Sequence, residues 1–149
     1  ESDLKLQQLE RAFKTDPSAQ NLNEYCDFLG EYLCSGLAEG RVAQIQRQQY
    51  ARLLARRCER EDTLELRIRY ATALADVGQI DEAQAVTDQL VIDVPEEQEV
   101  WMLCLRLAVM RRDGDEVHRV IDAIDKQHVY LSADNREKLA FWRDGEEAR

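Results

Sequence analysis

The chain has 149 residues, 44% of them apolar and 34% charged, with a formal net charge of −10. That length suits one domain or one compact array. No apolar run approaches the roughly 20 residues that a membrane-spanning helix needs, so no membrane insertion is expected. The acidic balance repels phosphate and disfavours nucleic acid as a partner. Six glycines and two prolines are too few for the turns of a β-sandwich. Leu, Ala, Glu, Arg and Gln all favour helix, and the predicted class is all-α.

The start, Glu1-Ser2-Asp3, has neither a basic region nor an apolar run behind it and does not read as a signal peptide. Without an initiator methionine, the chain reads as a processed protein or a piece of a longer one. Apolar residues Leu4, Leu6, Leu9, Ala12 and Phe13 recur at helical spacing until Asp16-Pro17 stops the run. Ser18 is positioned to cap a second helix, whose stripe is Leu22, Tyr25, Cys26, Leu29, Tyr32 and Leu33. Gly36 and Gly40 bracket the turn that follows.

A third helix, the longest, is predicted over 41–60, with Val42, Ile45, Leu53, Leu54 and Cys58 as its main apolar positions. Asp62-Thr63-Leu64-Glu65 reads as a capping box, with Asp62 as the cap. Helix four then carries Leu66, Tyr70, Ala71, Leu74 and Val77, and Gly78 supplies the left-handed residue that closes it. Helix five carries Ile80, Ala83, Val86, Leu90 and Val91 and stops before Pro95. Helix six starts near Glu96 and carries Val100, Trp101, Cys104, Leu105, Ala108 and Val109. Beyond the turn Asp113-Gly114-Asp115, helix seven carries Val117, Val120, Ile121 and Ile124. Ser132 caps helix eight, which carries Leu139, Ala140 and Trp142 and frays at Gly145. Eight helices on short loops imply antiparallel neighbours. A repeated hairpin favours stacking over a closed bundle.

The stretch 64–95 resembles a tetratricopeptide repeat. Ala71 and Ala83 stand at its small positions, Gly78 at its turn and Pro95 at its closing position, and Tyr70 and Leu74 match bulky positions. Arg67 stands where the family usually has tryptophan, and Thr87 where it usually has an aromatic residue. Small residues let helices approach to about 8–10 Å. Leu9, Ala12, Asp16 and Pro17 resemble the back half of a preceding repeat. Trp101, Gly114 and Asp115 resemble parts of a following one. The resemblance implies a short α-solenoid of stacked antiparallel hairpins: a partial repeat over 1–17, an enlarged hairpin over 18–61, the best repeat over 62–95, a degenerate repeat over 96–128 and a capping helix over 132–144. Phe141 and Trp142 on that helix seal one end. At the other, Leu4, Leu6 and Leu9 face missing repeats or a second copy, which leaves a homodimer open.

Stacked hairpins line their inner face with the first helix of each unit. The polar positions there are Asn23, Asp27 and Glu31, then Glu65, Arg69, Thr72 and Asp76, then Met102 and Arg106. The resemblance makes these the residues that bind a peptide or partner protein. Asp27 and Asp76 repel a carboxylate, so the expected guest is basic or apolar. A second feature is the run of six arginines in 41–60 with a single acid, Glu59. Arg52, Arg56 and Arg60 make one stripe, which either docks an acidic partner or a phosphate backbone or, as the favoured reading, pairs with the chain's own carboxylates.

No nucleophile–base pair, glycine-rich phosphate loop or zinc spacing is present, so neither an enzyme nor a cofactor is expected. His118, with acids one turn away on either side, reads as a solvated histidine rather than a metal ligand. Cys26, Cys34, Cys58 and Cys104 lie in apolar surroundings and read as free thiols of a reducing, cytoplasmic compartment. A Cys26–Cys34 bridge would span about 12 Å of one helix, beyond disulfide reach. The expected function is a protein-interaction scaffold or adaptor. The alternative is a regulatory or oligomerisation domain like those of bacterial transcription activators.

Overall fold

In a computed structural model that describes residues 2–147, the chain is an all-α stack of helices, with no strand among the described residues. The helices are α1 (Ser2–Thr15), α2 (Ala19–Cys34), α3 (Gly40–Arg60), α4 (Leu64–Asp76), α5 (Ile80–Asp93), α6 (Gln98–Met110), α7 (Gly114–Lys126) and α8 (Ala133–Glu147). They form two compact units, Glu1–Val77 and Gly78–Arg149. Within each unit, every helix packs on the one before it. The segment 62–95 thus contributes α4 to the first unit and α5 to the second. Ala71 is fully buried in the first and Ala83 in the second.

Local chemistry explains the boundaries. Ser18 Oγ accepts from the Asn21 amide and caps α2, and Asp113 caps α7 by accepting from the Glu116 amide. Gly36, Gly40 and Gly78 adopt φ of +78°, +63° and +79°, where a side chain would be strained. The cap of α4 is Thr63, not Asp62: the threonine hydroxyl accepts from the Leu66 amide, while Asp62 turns toward Arg67 at 4.0 Å. Helix α8 runs through Gly145 instead of fraying there. Ser132 does accept from the Asn135 amide at 3.3 Å.

The core of the first unit joins Leu6 and Phe13 of α1, Leu22, Tyr25, Cys26 and Leu29 of α2, Ala51, Leu53 and Leu54 of α3, and Leu66 and Ala73 of α4. Leu4 and Ala12, counted in the α1 stripe, are exposed. Helix α3 buries Leu53 and Leu54 and packs Cys58 against the core as expected, but its first half differs. Val42 and Ile45 are 62% and 58% exposed, while Ala43, Ala51 and Arg57 are buried. The core of the second unit gathers Trp101, Cys104, Leu105 and Ala108 of α6 with Val117, Val120, Ile121 and Ile124 of α7, and Leu131 and Leu139 close it. Trp142 packs against this core. Ala140 and Phe141 are exposed, so Trp142 covers the core without Phe141.

Candidate functional site

A groove of about 870 Å³ opens in the first unit. Helix α3 runs along its base. The Gly30 and Asp27 positions of α2 meet Tyr50 and Arg57 of α3 in reverse order, so these helices are antiparallel. Cys58 and Tyr50 of α3 meet Leu66 and Arg69 of α4 in the same reversed sense. Helices α2 and α4 therefore run parallel and form the two walls. Asp27, Gly30, Glu31 and Cys34 line one wall, and Glu65, Leu66, Ile68, Arg69 and Thr72 line the other.

At its centre two guanidiniums converge on one carboxylate oxygen. Arg57 Nη1 donates to Asp27 Oδ1 at 2.6 Å and Arg69 Nη2 donates to the same atom at 3.2 Å. Arg69 also donates through Nε and Nη2 to the Tyr50 hydroxyl, at 3.2 and 2.9 Å. Arg57 is 8% exposed, and its Nε has no acceptor among the described residues. Burial works against the charge on Arg57, but the hydrogen bond to Asp27 and the adjoining Cys26 thiol outweigh it and raise its pKa. Burial likewise opposes the charge on Arg69, and Tyr50 and Asp27 outweigh it. Burial pushes the Tyr50 phenol up, although the Arg69 hydrogen bond pulls the other way. Asp27 thus faces two cations, a second carboxylate, Glu61, reaches Arg57 at 3.9 Å, and Arg69 is left to share Asp27 as its one carboxylate among the described residues.

The two ends are acidic. Glu31 lies one turn beyond Asp27 on α2, and Glu65 one turn before Arg69 on α4. Because the walls are parallel, these glutamates sit on opposite sides of the central cluster. Among the described residues, no cation lies within 4.0 Å of either. Glu61 joins the Glu65 end, its Oε2 at 3.9 Å from Arg57 Nη2.

Of the residues expected on the binding face, Asp27, Glu31, Glu65, Arg69 and Thr72 line this groove together. Asn23 and Asp76 are not among its lining residues. Met102 and Arg106 belong to α6 of the second unit. Reading the sequence missed Gly30, Tyr50 and Arg57. An isolated glycine inside a helical pattern was the available signal for the first.

The arginine stripe is exposed. Among the described residues, no carboxylate lies within 4.0 Å of Arg52, Arg56 or Arg60, so the expected self-pairing is not formed. Arg56 instead lies over the Phe13 ring, 5.0 Å from its centroid. His118 is exposed, and no three potential metal ligands come together among the described residues. A cleft of about 180 Å³ in the second unit lies between Trp101, Cys104 and the paired Glu116 and Arg119. Burial pushes the Cys104 thiol up to about 12. No helix among the described residues is long and apolar enough to cross a membrane.

No family model, no curated protein and no solved structure matches this chain.

Proposed function

We propose that this chain is a protein-interaction module of tetratricopeptide type, a scaffold or adaptor whose guest is a peptide or an extended segment of a partner protein. The groove between α2 and α4 is its binding face. One observation carries this reading. Five polar residues chosen as inner-face positions, from two helices 30 or more residues apart in sequence, line a single open groove. Its centre is held in shape by the Arg57–Asp27–Arg69 cluster, so the guest meets a largely preformed surface and little ordering is needed on binding.

The test is selection of random peptides displayed against the intact chain, with Thr72→Trp as the filled-groove control. Thr72 is half-buried on the α4 wall, so an indole there occupies groove volume. Selected peptides should bind the parent and lose at least tenfold in affinity for the variant, with the unfolding midpoint preserved. Peptides that bind both proteins equally well would overturn the assignment of the groove.

A further inference from the structure

The charge order along the groove specifies its guest more closely. We propose that the groove takes an extended peptide with a basic–x–acidic–x–basic pattern, the two basic side chains meeting Glu31 and Glu65 and the acidic one meeting Arg69. This rests on the groove being the binding face.

Glu31 and Glu65 are unpaired among the described residues and flank the centre from opposite sides. The centre holds two guanidiniums and one carboxylate. Arg57 is sealed beneath the surface, whereas Arg69 is 26% exposed by its side chain, so Arg69 is the cation a guest can touch. From end to end the groove reads negative, positive, negative. A uniformly acidic guest is repelled at both ends, and a uniformly basic one is repelled in the middle.

Each glutamate is four residues from its central neighbour on the same helix, about 6 Å along the axis. Alternate side chains of an extended peptide point the same way and lie about 6.6 Å apart. Three same-face side chains of one strand therefore keep register with Glu31, the Arg69–Asp27 centre and Glu65. A helical guest would need a separation of about eight residues to cover the same span. Thr72, a short side chain half-buried on the α4 wall, leaves room for the peptide backbone, while the Tyr50 ring fills the space over Gly30.

The test uses three fluorescein-labelled peptides on a threonine background, differing only at three alternate positions: lysine–glutamate–lysine, glutamate–lysine–glutamate, and threonine throughout. Fluorescence anisotropy with the full chain should show the first binding at least tenfold tighter than the others, and weakening as salt is raised. The double variant Glu31→Gln/Glu65→Gln should lose at least tenfold for that peptide while keeping its unfolding midpoint, since both carboxylates are exposed. Bound peptide should also slow alkylation of Cys34, the exposed thiol on the groove wall. If the glutamate–lysine–glutamate peptide binds as tightly and protects Cys34, the charge pattern is overturned while the groove remains the binding face. If none of the three binds, the pattern is overturned too, and the display selection separately decides whether the groove binds peptides at all.

Discussion

The Tyr50 hydroxyl stands directly over Gly30: a β-carbon added to that glycine would lie 2.7 Å from the hydroxyl oxygen and 2.9 Å from Cζ. A phenol that also accepts two hydrogen bonds from Arg69 is thus seated on bare helix backbone. Glycine in a helix interior costs about 1 kcal/mol relative to alanine, and here that cost makes space for the ring that orients Arg69. Gly30→Ala should therefore lower stability by about 1 kcal/mol, overpacking outweighing the better helix propensity. In a Tyr50→Ala background the same change should raise stability by about 1 kcal/mol. Urea unfolding of the four proteins in this cycle decides it, and the same sign in both backgrounds would refute the contact.

The cluster around Asp27 is asymmetric. Arg57 is almost completely buried, whereas the Asp27 side chain is about half exposed. Removing Asp27 strands a buried guanidinium whose only other carboxylate neighbour among the described residues is Glu61 at 3.9 Å. Removing Arg57 leaves Asp27 with solvent and Arg69. Asp27→Ala should cost about 1–3 kcal/mol, the penalty of a buried unpaired group. Arg57→Met should cost under about 1 kcal/mol, because the thioether fills similar volume and also removes the orphan Nε–H. Thermal and urea unfolding of both variants provide the comparison, and equal losses would contradict the asymmetry.

Helix order, most helix ends and the two core stripes of α2 and α7 were legible because apolar side chains at i, i+3, i+4 and i+7 have one way to be buried together. The two groove walls were legible for the complementary reason: the polar side of a helix follows once its apolar side is known. The buried side in the first half of α3 was not. Its apolar count favours Val42 and Ile45, yet the buried side also carries Arg57, whose burial depends on Asp27, 30 positions earlier. No local periodicity encodes a partner at that distance. Capping by Thr63 in place of Asp62 reflects a choice between adjacent side chains that both suit the role, and a one-residue shift in the first turn decides it.

Alkaline pH gives a separate handle on the α1–α2 contact. The Tyr25 hydroxyl donates to Glu10 Oε2 at 3.1 Å. Burial first, and the Glu10 charge second, push this phenol up to about 12. An unfolded tyrosine ionises near 10. The folded state therefore holds the proton more tightly, so its contribution is complete below pH 10 and is lost as pH rises from 10 toward 12. Tyr25→Phe should be less stable than the parent at pH 8, by about 1 kcal/mol for the lost hydrogen bond. Its stability should then fall less steeply above pH 10, by up to about 1.4 kcal/mol per pH unit for one proton. Parallel stability profiles from pH 8 to 11.5 would exclude this role for Tyr25.

In the second unit the side chain of Gln98, at the start of α6, holds the entry to α8. Its Oε1 accepts from the Ser132 amide at 2.8 Å and from Asn135 Nδ2 at 2.9 Å. Asn135 is buried, and the other side-chain acceptor of its amide, the Glu99 carboxylate Oε1, is more distant at 3.4 Å. Helix α8 brings Leu139 and Trp142 onto the core of that unit, so loosening its first turn exposes apolar surface. Gln98→Ala should cost about 1–3 kcal/mol, because one backbone donor and most of a buried amide lose their acceptor. The loss should appear first as faster hydrogen exchange at the amides of α8, with α5 and α6 protected as before. Gln98→Glu retains an acceptor oxygen and should recover at least half of the stability. Truncation after Ser132 removes the cover altogether and should cause aggregation at concentrations where the intact chain stays dispersed. Native exchange rates throughout α8 in Gln98→Ala would show that the helix is held by its apolar face alone.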